Sequence, residues 1–336
     1  MDLLGIETSC DECAAAVVRD GRQMLSNVVY SQIEEHRRYA GVVPEIASRK
    51  HIEWIDDVVA RALQEADTDI GAIDAIAVTH RPGLIGSLLV GLSYAKGLAI
   101  ATGTPIVAVD HVHAHLYSAA LEHEISYPHI GLLLSGGHTL ISLVKAWDEF
   151  EVLGATIDDA CGEAFDKVAK HFDFGYPGGV AVQRLAEQGD PEAYDFPSPS
   201  LHKGQHPYDV SYSGLKTAVV HQREQFRNPR CAESDANVAA AFQRAAVDIV
   251  VDRALRAADD HDCKLLIAVG GVAANTYLRT RLDESPVEAL YPSLSLCTDN
   301  AAMIAGLGYH QFQRDGANSL DVNASARVRA FRAAYP

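Results

Sequence analysis

Basic charge is scarce in this chain. It carries 28 Lys and Arg against 45 Asp and Glu, a formal net charge of −17. Phosphate backbones are bound through Lys and Arg, so charge alone points away from nucleic acid. The basic residues fall in small groups: Arg37 with Arg38, Arg49 with Lys50, Lys167 with Lys170, Arg223 to Arg230 and Arg327 to Arg332. Each reads as a solvated face, and a basic groove on an acidic body stays compatible with them. Long apolar runs are missing too. No stretch of 18 or more apolar residues occurs, which predicts no membrane span. The opening MDLLGIETSC has neither a basic start nor a cleavage pattern, so it does not read as a signal peptide. Cysteine is limited to six residues, Cys10, Cys13, Cys161, Cys231, Cys263 and Cys297. Their scatter fits a reducing cytoplasm better than a disulfide framework. Cys10 and Cys13 form a CxxC, but at a strand turn and with no second CxxC to complete a zinc site.

What is present is an α/β pattern long enough for two domains. The chain has 336 residues, of which 48% are hydrophobic, and each half can bury a core. Residues 2–18 read as strand, tight turn, strand, and residues 24–33 as a further strand. Residues 44–66 read as a helix with Pro44 near its start and Ile52, Ile55, Val58, Val59 and Leu63 on its inner face. Ile73 to Val78 is a strand, Ile85 to Ala101 a Gly-rich helix, and Pro105 to Val109 a strand. The opening pattern then returns: IGLLLSGGHTLISLV, residues 130–144, is again strand, small-residue turn, strand. Two such hairpins, each opening an α/β unit, predict a duplicated architecture. A helix follows over 157–172, an insertion loop over 190–210, a helix carrying Lys216, a long helix over 235–258 and a buried strand at Lys264 to Val269. The stretch SLSLC reads as a strand end before a last helix. The domain division expected is 1–128 and 129–336, with the last helix, about 300–315, packing back on the first domain.

Four stretches carry candidate chemistry. In VAVDHVHAHLYSA, residues 107–119, a strand runs into a helix that places His111 and His115 on one face. Two imidazoles so spaced can hold one metal ion at about 2.0–2.1 Å per nitrogen. His113 points elsewhere. No Glu follows His111, so the HExxH general base of zinc proteases is missing. Asp299 is either the N-cap of the last helix or a third ligand. In SGGHT, Gly136 and Gly137 permit a close backbone approach, and consecutive N–H groups there can form an anion-binding concavity. In TSCDE, Asp11 and Glu12 serve the turn or contact a metal, water or substrate. After the buried strand, GGVAAN opens a helix in the manner of a nucleotide-binding loop. Asn275 there caps the helix or contacts a base or ribose. Asp159 and Glu163, and Glu163 and Lys167, are expected to share helix faces.

Taken in order, GIETSCDE, GVVPEIASRKH, PGLIGSLLVG, the His111/His115 pair, LLSGGHT, DDACGEAFDKVAK, YPGG, YSGLKTA, GGVAAN and CTDNAAMIA resemble the tRNA threonylcarbamoyladenosine transferases, the bacterial TsaD group. The resemblance runs from Gly5 to about Arg327. It implies two RNase H-like α/β domains of the actin, sugar-kinase and heat-shock-ATPase type with a nucleotide cleft between them. It implies transfer of a threonylcarbamoyl group from threonylcarbamoyl-adenylate to the adenosine 3′ of the anticodon in tRNAs reading ANN codons. His111, His115 and Asp299 match the metal ligands, with iron(II) the usual ion and zinc the alternative. Leu133, Leu134, Ser135, Gly136 and Gly137 match the loop around the acyl-phosphate. Asp166, Gly179 and Asn275 match the nucleoside contacts. Asp11 or Glu12 would take the amine proton. The resemblance also implies a paralogous TsaB-type subunit and a TsaE-type ATPase as partners; the cytoplasmic location and the lack of a membrane contact are expected from the scattered cysteines and the missing apolar run.

Two positions depart from the group. Arg81 stands where Gly is usual, in what would be GPGL, which puts in question the role of that loop. Cys13 stands where Thr is usual. Three rival readings share features with this one. A metalloprotease would use the same histidines. An ATP-dependent small-molecule kinase would share the fold but need a catalytic Asp and no His pair. A non-catalytic scaffold would have lost the metal motif.

Overall fold

A computed structural model describes residues 1–197, 207–221 and 234–328. Cys231, the group Arg223 to Arg230, the end of the Arg327 to Arg332 group and the middle of the 190–210 loop lie outside the described residues. The other five cysteines are free thiols. The described chain forms two compact units, Met1–Ile125 with the described part of Pro292–Ala334, and Ser126–Tyr291.

The first unit is built on a five-stranded sheet of order β3-β2-β1-β4-β5. Its strands are β1 Asp2–Glu7, β2 Glu12–Arg19, β3 Gln23–Ser31, β4 Ala75–Arg81 and β5 Ile106–Asp110. β1 and β2 form the predicted hairpin, paired antiparallel from Asp2–Arg19 to Glu7–Ala14. β1, β4 and β5 run parallel, so Glu7, Arg81 and Asp110 all end strands at the same edge of the sheet. Ligands of open α/β sheets gather at such carboxyl-terminal edges. The helices Pro44–Glu65 and Ile85–Thr102 cover one face. On the first, Ile55, Val58 and Val59 are buried as expected, but Ile52 is 66% exposed. Ala47, His51 and Ala62 take the inner stripe instead, because the helix turns its 47–51–55–58–62 face to the sheet. The second helix is long and apolar enough to cross a membrane by length and composition. Here it buries Ser87, Leu88, Gly91, Leu92, Ala95 and Ala99, and a Cβ at Gly91 would collide with the Thr8 hydroxyl.

The other face is covered by the last helix, Ala301–Asp315. Its first turn lies so close to β1 that a Cβ on Gly5 would run into the Ala301 carbonyl oxygen. The stretch before it is not a strand end. Leu294–Cys297 is a single helical turn, with Leu296 and Cys297 fully buried; only two inward residues are needed there, and a helical turn supplies them without an edge partner.

The second unit repeats the plan: order β10-β9-β6-β7-β8, from β6 His129–Leu134, β7 Thr139–Ala146, β8 Glu149–Ala155, β9 Leu265–Val269 and β10 Glu288–Leu290. β6 pairs antiparallel with β7 and β7 with β8, while β6, β9 and β10 are parallel. The first three strands meander and the fourth and fifth run parallel to the first, as in the first unit. The helix expected over 157–172 begins only at Cys161. Asp158 and Asp159 lie in the preceding turn, where Asp158 accepts from Tyr212 N at 2.7 Å and Ser213 N at 3.2 Å. Asp159 therefore does not share a helix face with Glu163. Its carboxylate instead takes Lys167 Nζ at 2.6 Å on one oxygen and Lys216 Nζ on the other.

Candidate metal centre and substrate loops

The histidine pair sits where β5 turns into the helix His111–Tyr117. Asp110 caps that helix, its Oδ1 accepting from His113 N at 3.2 Å. His111 and His115 then fall one turn apart, with ring centroids 4.6 Å apart and nearly perpendicular. Asp299 arrives from the far end of the chain. The cap of the last helix is Asn300, which accepts from Met303 N at 3.1 Å, so Asp299 is released from capping. Its Oδ1 lies 2.9 Å from His115 Nε2 and 3.6 Å from His111 Nε2. One donor atom from each of the three residues falls within a 4.8 Å set. Ligands about 2.1 Å from a shared tetrahedral ion stand roughly 3.4 Å apart, and the two Nε2–Oδ1 distances bracket that spacing. The cluster is compatible with a divalent metal, and two imidazoles with one carboxylate leave positions open for substrate.

Glu7 is the residue that the sequence reading missed. It is fully buried. Its Oε2 lies 3.0 Å from His111 Nδ1 and accepts from the Thr79 hydroxyl at 2.6 Å, while Oε1 accepts from Ser9 N. A carboxylate behind a ligating histidine fixes its ring and raises its basicity. Burial opposes the charge on Glu7, but His111 and the Thr79 hydroxyl outweigh it and hold the carboxyl below its usual range. Among protein groups alone the imidazoles titrate apart. Burial works against protonation of His111, yet Asp299 and Glu7 raise it to about 9. Burial lowers His115, and the charge of His111 adds to that. The signal for Glu7 was available: a carboxylate at the last position of the strand DLLGIE, directly after the apolar run LLGI.

Asp11 and Glu12 stand at the β1–β2 turn. Glu12 Oε1 accepts from the Ser31 hydroxyl at 3.3 Å, and burial followed by the charge of Asp11 pushes its carboxyl well up. His51, also outside the predicted set, holds this turn, its Nε2 lying 3.0 Å from the Cys10 carbonyl oxygen.

The remaining candidates belong to the second unit. The β6–β7 turn begins at Ser135, whose Oγ accepts from Gly137 N at 3.3 Å and His138 N at 3.0 Å. Those two N–H groups are thus turned inward. Neither Gly136 nor Gly137 has positive φ, and space is open where their Cβ atoms would be. Leu133 and Leu134 are fully buried, so contact with a ligand would fall to their backbone. The turn at the end of β9 lies against them: Gly270, at φ 91°, would place a Cβ into the Leu134 carbonyl. Asp166 holds the YPGG loop, accepting from Gly178 N at 2.8 Å. Gly179 has open space beside it. Asn275 caps the helix Thr276–Asp283 by accepting from Leu278 N at 3.0 Å, and donates to Gln243 Oε1 at 2.8 Å. Capping uses one lone pair of the amide oxygen and the bond to Gln243 one of its two N–H groups.

Known proteins match this chain in sequence and in fold. The tRNA N6-adenosine threonylcarbamoyltransferase of Treponema denticola is 56% identical over 98% of both chains. The protein of that name from Borreliella afzelii is 50% identical over 100% of this chain and 96% of the relative. Among solved structures, component A of the (R)-2-hydroxyglutaryl-CoA dehydratase of Acidaminococcus fermentans aligns with a TM-score of 0.57 at 14% identity, over 94% of this chain and 98% of that one. Full-length HypF in the phosphate- and nucleotide-bound form aligns with 0.63 at 16% identity, over 94% of this chain and 47% of that one. At such identities these two speak for the fold alone. The profile described as TsaD, tRNA N6-adenosine threonylcarbamoyltransferase, matches residues 23–306, and with relatives this similar over their full length the chain belongs to that family.

Proposed function

We propose that this chain transfers the threonylcarbamoyl group of threonylcarbamoyl-adenylate to N6 of the adenosine 3′ of the anticodon in tRNAs reading ANN codons, releasing AMP. The observation that carries this reading is 56% identity to a transferase of that name across 98% of both chains. The reaction forms a bond from N6 to the carbamoyl carbon and breaks the bond from that carbon to the phosphate oxygen. AMP departs with the electron pair, and N6 loses a proton.

The chain's own residues supply orientation above all. Fixing two large substrates in reacting geometry contributes roughly 7–11 kcal/mol. The loop Leu133, Leu134, Ser135, Gly136 and Gly137 would hold the acyl-phosphate, and Asp166, Gly179 and Asn275 the nucleoside. His111, His115 and Asp299 would hold iron(II), or zinc in its place. That ion supplies Lewis acidity toward a carbonyl or phosphoryl oxygen and a fixed anchoring point. Asp11 or Glu12 would take the N6 proton; burial and the charge of Asp11 raise the Glu12 carboxyl, which makes its ionised form the stronger base. The net charge of −17 leaves tRNA binding short of cations, which favours a paralogous TsaB-type subunit and a TsaE-type ATPase as partners. Five free thiols support a cytoplasmic setting.

The test uses purified protein with these partners, threonylcarbamoyl-adenylate and tRNA carrying A or G at the acceptor position. Mass spectrometry should find the modified nucleoside only with A. His111→Ala and His115→Ala should lose both bound metal and product. A metal-free variant with full transfer would remove the ion from catalysis, and absence of product with the unaltered chain would overturn the function.

A further inference from the structure

We infer that Arg81 is a positioning residue of the metal centre, acting through Asp110; this rests on the metal reading of the His111, His115 and Asp299 cluster. β4 and β5 pair in parallel with Thr79 opposite Val109, and the next pair is Arg81 with Asp110. One residue, His80, is skipped by a bulge. Bulges re-aim side chains, and this one brings Arg81 beside Asp110. Arg81 Nε donates to Asp110 Oδ2 at 3.1 Å, while Asp110 Oδ1 accepts from His113 N at 3.2 Å. A single carboxylate thus joins the end of β4 to the first turn of the ligand-bearing helix. That helix has seven residues, too few to hold its shape without outside contacts. Its first residue is His111, and His115 follows one turn later, so a shift of the cap carries both imidazoles with it.

The mount of Arg81 is itself held. The His80 carbonyl accepts from Ser325 N at 2.9 Å, and Gly83 N donates to the Ala326 carbonyl at 3.3 Å. Leu84 N donates to the Ser9 carbonyl at 2.7 Å, and a Cβ on Gly83 would stand 2.6 Å from that oxygen. The Ser9 hydroxyl in turn lies 3.2 Å from His111 Nδ1. Residues 80–84 therefore brace His111 twice, from the cap side through Arg81 and Asp110, and from the ring side through Ser9. The side chain of Asp110 is 8% exposed and that of Arg81 38%. A bridge so exposed adds little stability, so its main effect is on where the carboxylate points.

Cobalt(II) is the probe, bound to the full chain in competition with a chromophoric chelator. Groups that touch a ligand directly are worth 10–100-fold in metal affinity; Arg81 is one contact further away, so Arg81→Ala should weaken cobalt binding about 3–10-fold. Arg81→Lys should recover part of this, and the cobalt absorption bands should shift in Arg81→Ala. In an Asp110→Asn background, Arg81→Ala should add almost nothing, since its route to the site is already cut. Unchanged affinity and spectrum in Arg81→Ala, with only a lower Tm for the metal-free protein, would make Arg81 a surface brace and end the inference. Equal cobalt affinity in His111→Ala and the unaltered chain would instead remove the metal reading, and this inference with it.

Discussion

Glu7 ends β1 with no exposed atom and collects donors from Ser9, Thr79 and His111. Glu7→Gln keeps the shape and removes the charge behind the imidazole. It should weaken metal binding 10–100-fold while the fold persists, measured by chelator competition alongside a thermal melt. Another single residue sets part of the acid stability. His129 is buried at the start of β6, its Nδ1 3.0 Å from the Ser126 carbonyl, and burial lowers it to about 4. A lowered imidazole pKa means that the unfolded chain binds the proton first. The stability that neutral His129 contributes is therefore complete above about 6.5 and is lost as pH falls toward 4. Between pH 7.5 and 5 this one group should account for about 2 kcal/mol. His129→Leu should flatten the stability–pH curve by about that amount, as read from urea denaturation at the two pH values.

At the scale of elements, the last helix does the positioning. Gly5 on β1 admits its first turn, and Asn300 caps it. These two features put Asp299 where β1 and β5 end. Asn300→Ala should cost about 1 kcal/mol as a lost cap. It should also lower metal retention, because Asp299 becomes the nearest substitute cap and is drawn off the histidines. Asn300→Asp keeps the capping oxygen but sets a buried carboxylate oxygen against the Leu296 and Thr298 carbonyls, to which the Asn300 amide now donates, so it should restore the cap only in part. Chelator competition and denaturation on the same samples separate the two effects. If metal retention falls no further than stability explains, Asp299 is held by something other than the identity of the cap.

For the whole molecule, each unit has its own sheet, but among the described residues only the second unit is continuous in sequence. The stretch Ser126–Tyr291 contains all of β6 to β10. The first unit needs the helix Ala301–Asp315, which packs on β1, β2, β4 and β5. Residues 126–291 expressed alone should melt cooperatively. Residues 1–125 alone should leave one face of the sheet bare and remain unfolded or aggregate. Joining 292–336 to them should recover folding. Circular dichroism and limited proteolysis of the three fragments check this, and a stable 1–125 would show the final helix to be dispensable.

The local sequence determined the hairpins, the pairing of His111 with His115 and the repeated strand–turn–strand that marks two like units, since each depends on contacts within about twenty residues. It left Asp299 open between cap and ligand, and Asn275 between cap and nucleoside contact. It misread residues 157–160 and 294–297, because turns held by distant donors such as Lys216 and Tyr212 carry no local periodicity. Only the tertiary structure decided that Asn300 takes the cap and Asp299 turns to the histidines, that Glu7 stands behind His111, and that a bulge sets Arg81 against Asp110. Those outcomes depend on which chain ends meet across a sheet edge, and strand order, unlike helical or strand period, is not written in the spacing of neighbouring residues.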